Sequence, residues 1–343
     1  VAMAATPLLT FLCLSFNAGP VPQGGKVAVT GATGKLGRLA VTQLVAAGYK
    51  ARCLVRHDAG EDVAPRIDAS APKGAVYAYV ASLPGVEMVR GDVTDPETCT
   101  ELLQGCDACL ALHGARRMSK FTDLMPWSSK HTEDPTHSKQ VNFEGVRNLI
   151  RAAKAGSTVK RIVRITGKGE DPWSLFSILI NGLGSMAKAY NYEGEALLRE
   201  AGDDIEYTII RPGVMGRGDE DLPVDQDLVL ADDGGDLKVS PIPHASVAEL
   251  CVKSLAYPNA GRATLTAMTA PLGQGARSFD PLLADVKPDR RKFPPSLLKQ
   301  HQLAVRVGGS GIVATLLTML AGTLFIVHKL VFSHIFQTVA SVC

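Results

Sequence analysis

The chain has 343 residues, enough for two average domains, and a formal net charge of only +2. Its basic residues are dispersed and its aromatic content is 6%, which excludes the basic stripe with interleaved aromatic residues that is typical of a nucleic-acid-binding surface. The odd number of cysteines, 7, argues against a disulfide framework, and the Cys106/Cys109 pair lacks the second ligand pair that a zinc site needs, so no metal site is predicted.

The first 25 residues are predicted to be an N-terminal arm or a targeting remnant. Residues 2–16 are apolar but lack the basic region of a signal peptide and contain Pro7. Residues 13–16 resemble a small-residue cleavage site followed by an aromatic residue, as in some plastid-targeting leaders. The segment could equally pack as an arm on an apolar surface.

Residues 27–38, VAVTGATGKLGR, place three glycines where a strand passes into a helix. Gly31 permits a tight turn, Gly34 lets phosphates approach the backbone, and Gly37 lets the helix pack closely on the strand. A dinucleotide pyrophosphate is expected at the positive end of that helix. The apolar run before the glycines and the helical periodicity after them support this interpretation.

A second strand is predicted at residues 50–56, and it ends on a basic residue. An NAD site carries an acidic residue at about this place for the ribose 2′-hydroxyl, about twenty residues after the last glycine. The chain has Arg56 there instead, which favours NADP(H). Arg38 is expected to supply a second charge to the 2′-phosphate. Alternatively, both arginines are ordinary surface charges.

The chain resembles the extended and atypical short-chain dehydrogenase/reductases, in particular the NmrA-like or plastid Tic62-like branch, over residues 26–265. The resemblance is carried by GDVTD at 91–95, a fourth strand at 107–114, VNFEGVRNL at 141–149, a fifth strand at 159–166 and YTIIRPG at 207–213. It implies that Asp92 and the residue after it lie along the adenine. It also implies that the fourth strand ends beside the cofactor and that the Arg-Pro-Gly end of the sixth strand lies over the nicotinamide.

The glycine-rich turn and this resemblance together predict the cofactor site. Its members are Gly31, Thr33, Gly34, Lys35, Leu36, Gly37, Arg38, Arg56, Asp92, Val93, His113, Gly114, Thr166, Pro212, Gly213 and Val214.

The Tyr-x3-Lys dyad of hydride-transferring family members is absent. A tyrosine with an ordinary pKa near 10 needs a neighbouring cation to exchange protons near neutral pH, and a spacing of four residues puts both on one helix face. Here Lys188 and Tyr192 have that spacing in the reverse order, and Thr166 stands where the family often has a catalytic serine. These three are the only candidate catalytic residues, and a purely structural role for the inverted pair is the alternative.

Two long connections and the C-terminus distinguish the chain from a minimal family member. A short helix is predicted at residues 75–83, and the polar loop at 115–139, which holds Trp127, is expected to form a lid or a partner surface beside the nicotinamide. Residues 266–306 are predicted to be a linker. Residues 307–327 carry no charge over 21 positions and predict a transmembrane helix, followed by a short tail at 328–343.

The expected architecture is therefore an α/β Rossmann-type doubly wound parallel sheet with a C-terminal transmembrane helix. Basic residues before the apolar segment predict a nucleotide domain on the stromal or cytosolic face of the membrane, with a plastid thylakoid favoured. Two functions remain open. The first is an NADP(H)-binding assembly factor or accessory subunit of a membrane complex, and the second is an NADPH-dependent reductase of a lipid-soluble substrate such as an isoprenoid, quinone or pigment.

Overall fold

A computed structural model describes residues 21–56, 73–120, 123, 133–156, 158–168, 170–216 and 221–340 of the chain. The strands are β1 Lys26–Thr30, β2 Lys50–Val55, β3 Val86–Arg90, β4 Ala108–Ala111, β5 Arg161–Ile165, β6 Glu206–Pro212, β7 Val214–Met215, β8 Gln226–Ala231, β9 Pro241–Ile242 and β10 Ala263–Pro271. The helices are α1 Lys35–Ala46, α2 Lys73–Ser82, α3 Pro96–Leu103, α4 Gly145–Lys154, α5 Leu175–Leu183, α6 Ala187–Arg199, α7 His244–Lys253, α8 Asp280–Ala284 and α9 Leu298–Ala340.

Within the described residues, eight strands form one sheet in the order β3-β2-β1-β4-β5-β6-β10-β8. All neighbours run parallel except β8, which pairs antiparallel with β10. The order reverses between β1 and β4, and in doubly wound sheets this switch point is where the crevice for a ligand opens. The predicted Rossmann-type parallel sheet is confirmed.

Helices cover both faces of the sheet, and the alternation of side chains along β1 explains why. Val27 and Val29 pack into the core beneath α1 and α7, whereas Ala28 belongs to the core beneath α3 and α4. A strand that is buried on both faces reads as a continuous apolar run. This double burial fixes the register and therefore the place where β1 ends, at the glycine-rich turn.

Local signals position the helices around the site. The Asp95 carboxylate caps α3 by accepting hydrogen bonds from the backbone N–H groups of Glu97 and Thr98, both at 3.2 Å, and Pro96 occupies the first turn. The helix predicted at 141–149 is longer than expected. It begins as a π-helical turn, Lys139–Glu144, and continues as α4.

The packed domain continues through the segment for which the sequence indicates a linker. β10 extends to Pro271, and Phe279, Leu283 and Leu297 are buried. Residues 1–20, most of the predicted N-terminal arm, lie outside the described residues, as does Trp127 of the predicted lid.

The apolar C-terminal segment forms part of α9, which is 43 residues long. No helix in the described part of the chain is long and apolar enough to cross a membrane. The predicted transmembrane helix at 307–327 is therefore wrong. The described residues 298–311 contain Lys299 and Arg306 and pack in part on the domain.

Candidate functional site

The glycine-rich turn between β1 and α1 leaves no room for side chains. Gly31 has φ +73°, and a Cβ on Gly37 would lie 2.0 Å from the carbonyl oxygen of Gly31. Gly34 precedes α1 with no side-chain cap, and the first turn of α1 contains no acidic residue. Backbone N–H groups at such a helix start lack intrahelical partners and attract anions. The turn therefore fits the pyrophosphate of a dinucleotide.

Strand register places Arg56 beside this turn. Thr30, the last residue of β1, pairs with Leu54 of β2, so Arg56 follows at the carboxyl edge of the sheet next to Gly31. Arg56 is exposed, and Arg38 lies on the first turn of α1. Their role in binding a 2′-phosphate stays a prediction.

Asp92 and Val93, predicted along the adenine, differ in what they offer a ligand. The half-buried Asp92 carboxylate accepts hydrogen bonds from the backbone N–H and the hydroxyl of Thr94, both at 3.0 Å. The side chain of Val93 is buried, and a Cβ on Gly145 would lie 2.9 Å from its Cγ2. Val93 thus packs against the start of α4, and its carbonyl accepts a hydrogen bond from the Asn148 side chain at 3.0 Å.

His113, just after β4, is buried next to the glycine-rich turn. Its Nδ1 lies 2.7 Å from the Thr30 hydroxyl oxygen, and a Cβ on Gly31 would lie 3.0 Å from its backbone nitrogen. Burial, and then the charge of Arg164, hold the pKa of His113 well below its usual value, so the imidazole is neutral. Gly114 next to it is exposed and has open space around it.

Arg164, a fully buried residue of β5, fixes the end of β4. Its guanidinium donates to the carbonyls of Ala111 at 2.9 Å and His113 at 2.6 Å, and to the Asn191 side chain at 2.9 Å. Burial lowers the pKa of this guanidinium to about 10, and it remains charged at neutral pH. Local sequence patterns do not reveal this role, because the partners lie far away along the chain.

The candidate nicotinamide end lies where β6 ends. Gly213 donates its N–H to Ala267 at 2.9 Å, and a Cβ there would lie 2.1 Å from the Ser240 carbonyl oxygen. Glycine is therefore required by packing at this position, whatever binds there. Pro212 is buried and Val214 is 54% exposed.

Thr166 lies at this end but its hydroxyl points to a buried ion pair. It donates to Oε1 of Glu195 at 2.6 Å, and the same carboxylate accepts from Arg211 and, at 2.9 Å, from Arg199. Burial alone would raise the pKa of Glu195. The charge and hydrogen bonds of Arg211, with Arg199 and Thr166, outweigh burial and lower it, so Thr166 faces a carboxylate that stays ionised. Glu195 is a site residue that sequence reasoning missed.

Lys188 and Tyr192 are each bound elsewhere. The Lys188 ammonium donates to the Ser177 hydroxyl at 2.7 Å, and burial lowers its pKa to about 8. The Tyr192 hydroxyl, on a side chain that is 2% exposed, donates to the Pro294 carbonyl at 3.2 Å. Burial, and then the negative charge of Glu170, raise the pKa of Tyr192 to about 12.

The three candidate catalytic residues therefore do not form a catalytic group. Among the described residues, no hydrogen bond joins any two of Thr166, Lys188 and Tyr192. The tyrosine has a raised pKa and no lysine beside its hydroxyl, which is the opposite of what an acid or base near neutral pH requires. Their catalytic role stays a prediction that this geometry does not favour.

Taken together, the switch point, the glycine-rich turn and the neutral, buried His113 define a dinucleotide-binding Rossmann protein. Residues 31–258 match the model of the family described as NAD(P)H-binding. The chain belongs to this family, and the predicted kinship with atypical short-chain dehydrogenase/reductases is confirmed. The predicted cofactor, NADP(H), is confirmed as the type of ligand that the family binds.

Three curated relatives bear on function. The chain is 25% identical over 233 residues to "Photosystem II assembly factor Ycf39" of Trieres chinensis, covering 67% of this chain and 59% of that protein. It is 26% identical over 197 residues to "Protein TIC 62, chloroplastic" of Pisum sativum, covering 56% and 33%. It is also 26% identical over 229 residues to "Sanguinarine reductase" of Eschscholzia californica, covering 59% and 80%. The chain thus spans less than two thirds of the first two of these relatives.

Proposed function

We propose that this protein is an NADP(H)-binding assembly factor or accessory subunit of a photosynthetic complex in the plastid, in which the dinucleotide is a structural or sensing ligand. The observation that carries the proposal is the separation of Thr166, Lys188 and Tyr192 into three unrelated sets of hydrogen bonds. Such a site can bind the cofactor, but none of these three side chains is placed to donate a proton beside the nicotinamide. The relatives named for photosystem II assembly and for a chloroplast protein support the same function.

A reductase of a lipid-soluble substrate is the second candidate, and a specific surface favours it. The chain just after β5 and helix α5 expose large apolar side chains next to Lys188. They are Trp173, Leu175, Phe176, Leu179, Ile180 and Leu183, exposed by 39 to 62%. An exposed apolar patch of this kind often marks a binding surface. An isoprenoid, quinone or pigment could bind there, and the reductase among the relatives is consistent with it.

Two measurements on the full chain separate the candidates. We expect NADPH to bind, as followed by nicotinamide fluorescence, and to be consumed no faster than in buffer when short-chain quinones or isoprenoid aldehydes are added. We also expect photosystem subunits to co-purify with the tagged chain from plastids, and more so with NADPH present. Sustained NADPH oxidation by the unaltered chain would contradict the accessory role and establish the reductase, and a loss of about 10²-fold or more in Y192F would make Tyr192 its proton donor.

A further inference from the structure

The side chain of Arg116 lies against the glycine-rich turn. A Cβ on Gly34 would be 3.1 Å from Nη2 of Arg116, almost as close as the Gly31 carbonyl oxygen at 3.2 Å. Arg116 is exposed, and its guanidinium has no hydrogen bond or ion pair with any other residue in the described part of the chain. A free guanidinium is thus placed at the position where phosphates approach the backbone.

Anchors on both sides of Arg116 hold the backbone there. The N–H of Ala115 donates to Oδ1 of the buried Asn142 at 2.9 Å. On the other side, Arg117 is 8% exposed and forms paired hydrogen bonds of 2.6 and 2.8 Å with the Asp123 carboxylate. Neighbouring arginines in one loop therefore have opposite surroundings, because one is buried in an ion pair and the other is exposed over the turn.

The Arg117–Asp123 pair also ties this loop to the turn between α5 and α6. Arg117 and Asp123 both contact the Ser185 hydroxyl, at 3.0 and 2.9 Å. Ser185 in turn donates its N–H to the Ser119 hydroxyl at 2.7 Å. The loop after β4 is thereby fixed at several points, and the direction in which Arg116 leaves the backbone is fixed with it.

We propose that Arg116 binds the pyrophosphate of NADP(H) and that the Arg117–Asp123 pair positions it. The inference rests on cofactor binding at the glycine-rich turn, which both candidate functions require. A guanidinium presents a planar fork that matches phosphate oxygens, and the first turn of α1 has no acidic residue to compete for it. Arg116 then supplies a charge beside the turn that complements the backbone N–H groups at the start of α1.

The first test compares two dinucleotides that share the pyrophosphate and differ in the 2′-phosphate. We expect R116Q to weaken NADPH and NADH by the same factor, about tenfold or more, the scale of a lost charge-assisted hydrogen bond. R116K should lose less, because it keeps the charge but not the fork. R151Q, which alters an exposed arginine in the last turn of α4, is the matched control and should leave both affinities unchanged.

The second test separates positioning from general stability. D123N should weaken NADPH several-fold in the otherwise unaltered chain and should have no further effect in the R116Q background, because the pair acts only through Arg116. A general loss of structure would instead lower affinity in both backgrounds. Circular dichroism and urea unfolding of each variant establish that it is folded.

Three outcomes would overturn the assignment. Unchanged affinity of R116Q for both dinucleotides would show that Arg116 is an ordinary surface residue. A loss confined to NADPH would place it on the 2′-phosphate instead of the pyrophosphate. An unaltered chain that binds neither NADPH nor NADH would overturn the cofactor role of this chain and this assignment with it.

Discussion

At the scale of single residues, Gly37 is the tightest position in the candidate site. Because a Cβ there would lie 2.0 Å from the Gly31 carbonyl oxygen, G37A must push α1 away from β1. We expect the free energy of unfolding to fall by about 1–3 kcal/mol, as for other overpacked positions, and NADPH binding to be lost. G309A is the matched control, since a Cβ there meets nothing within 4 Å. Urea unfolding and NADPH fluorescence measure both effects, and a G37A variant that binds NADPH normally would contradict this geometry.

A second prediction at this scale concerns His113 and the dependence of the unfolding free energy on pH. Its folded-state pKa is depressed well below the ordinary value near 6.5. Below pH 6.5 the imidazole is therefore protonated in the unfolded chain but still neutral in the folded chain. The stability that the neutral imidazole provides is present above about pH 6.5 and is lost as the pH falls, by up to about 1.4 kcal/mol per pH unit.

The measurement for His113 is the slope of the unfolding free energy between pH 6.5 and 5. We expect the slope to be shallower for H113N than for the unaltered chain. The difference should be about what one titrating imidazole contributes. T30V is the control, because it removes the hydroxyl at 2.7 Å from Nδ1 but leaves the buried imidazole, and it should keep the steep slope. Equal slopes for H113N and the unaltered chain would show that folding does not lower the pKa of His113.

At the scale of elements, the main ordered segment that the sequence did not predict is 286–297, which we name the strap. The Asp289 carboxylate accepts from Thr264 and Tyr207, and the guanidiniums of Arg199 and Arg291 lie 3.6 and 4.2 Å from the centre of the Phe293 ring. The sequence indicates a linker there because proline and charge are locally abundant. Its order comes from partners that lie 25 to 121 residues away along the chain, from Thr264 to Glu170, and local patterns do not reveal them.

Phe293 is the residue that tests the strap. We expect F293A to lower the free energy of unfolding by about 1–3 kcal/mol, because it removes contacts with three guanidiniums, of which the two nearest are each worth about 0.5–2 kcal/mol. F293W keeps an aromatic face and should lose less. The readouts are urea unfolding and proteolysis of the strap. If F293A were as stable and as resistant as the unaltered chain, the strap would not contribute to the fold.

The same contrast explains which parts of the candidate site were predictable. The turn at Gly31, Gly34 and Gly37 is built from residues that are close together in the sequence. The strand before it, the helix after it and the class of ligand it binds could therefore be predicted from those residues. The buried partners of Thr166 and Tyr192 are not local, since Glu195 and Pro294 reach them only once the sheet is assembled. The inverted spacing of Lys188 and Tyr192 shows only that the usual dyad is absent, and the structure shows how each side chain is used instead.

At the scale of the whole molecule, the start of α9 belongs to the domain. Leu297, His301 and Ala304 are buried, and Nδ1 of His301 lies 3.0 Å from the Asn181 amide of α5. A Cβ on Gly308 would lie 2.6 Å from Ile178, so α5 and α9 are in close contact up to this turn. Beyond it, the side chains described at 319–327 are exposed. The boundary of the cooperative unit is therefore expected within α9, near Ser310.

Two truncations test that boundary. A chain ending at Ser310 should bind NADPH and unfold with nearly the free energy of the full chain, because it keeps both α9 residues, His301 and Ala304, that are buried among those whose side chains the structure describes. A chain ending at Pro295 loses Leu297, His301 and Ala304, uncovers the buried Asn181, and should be less stable by about 3 kcal/mol or more, the scale of a large core deletion with an unpaired polar group. N181A in the longer chain should reproduce part of this loss. Equal urea midpoints for the two truncated chains would mean that the start of α9 contributes nothing to the domain, and that α5 is held by its packing on α6.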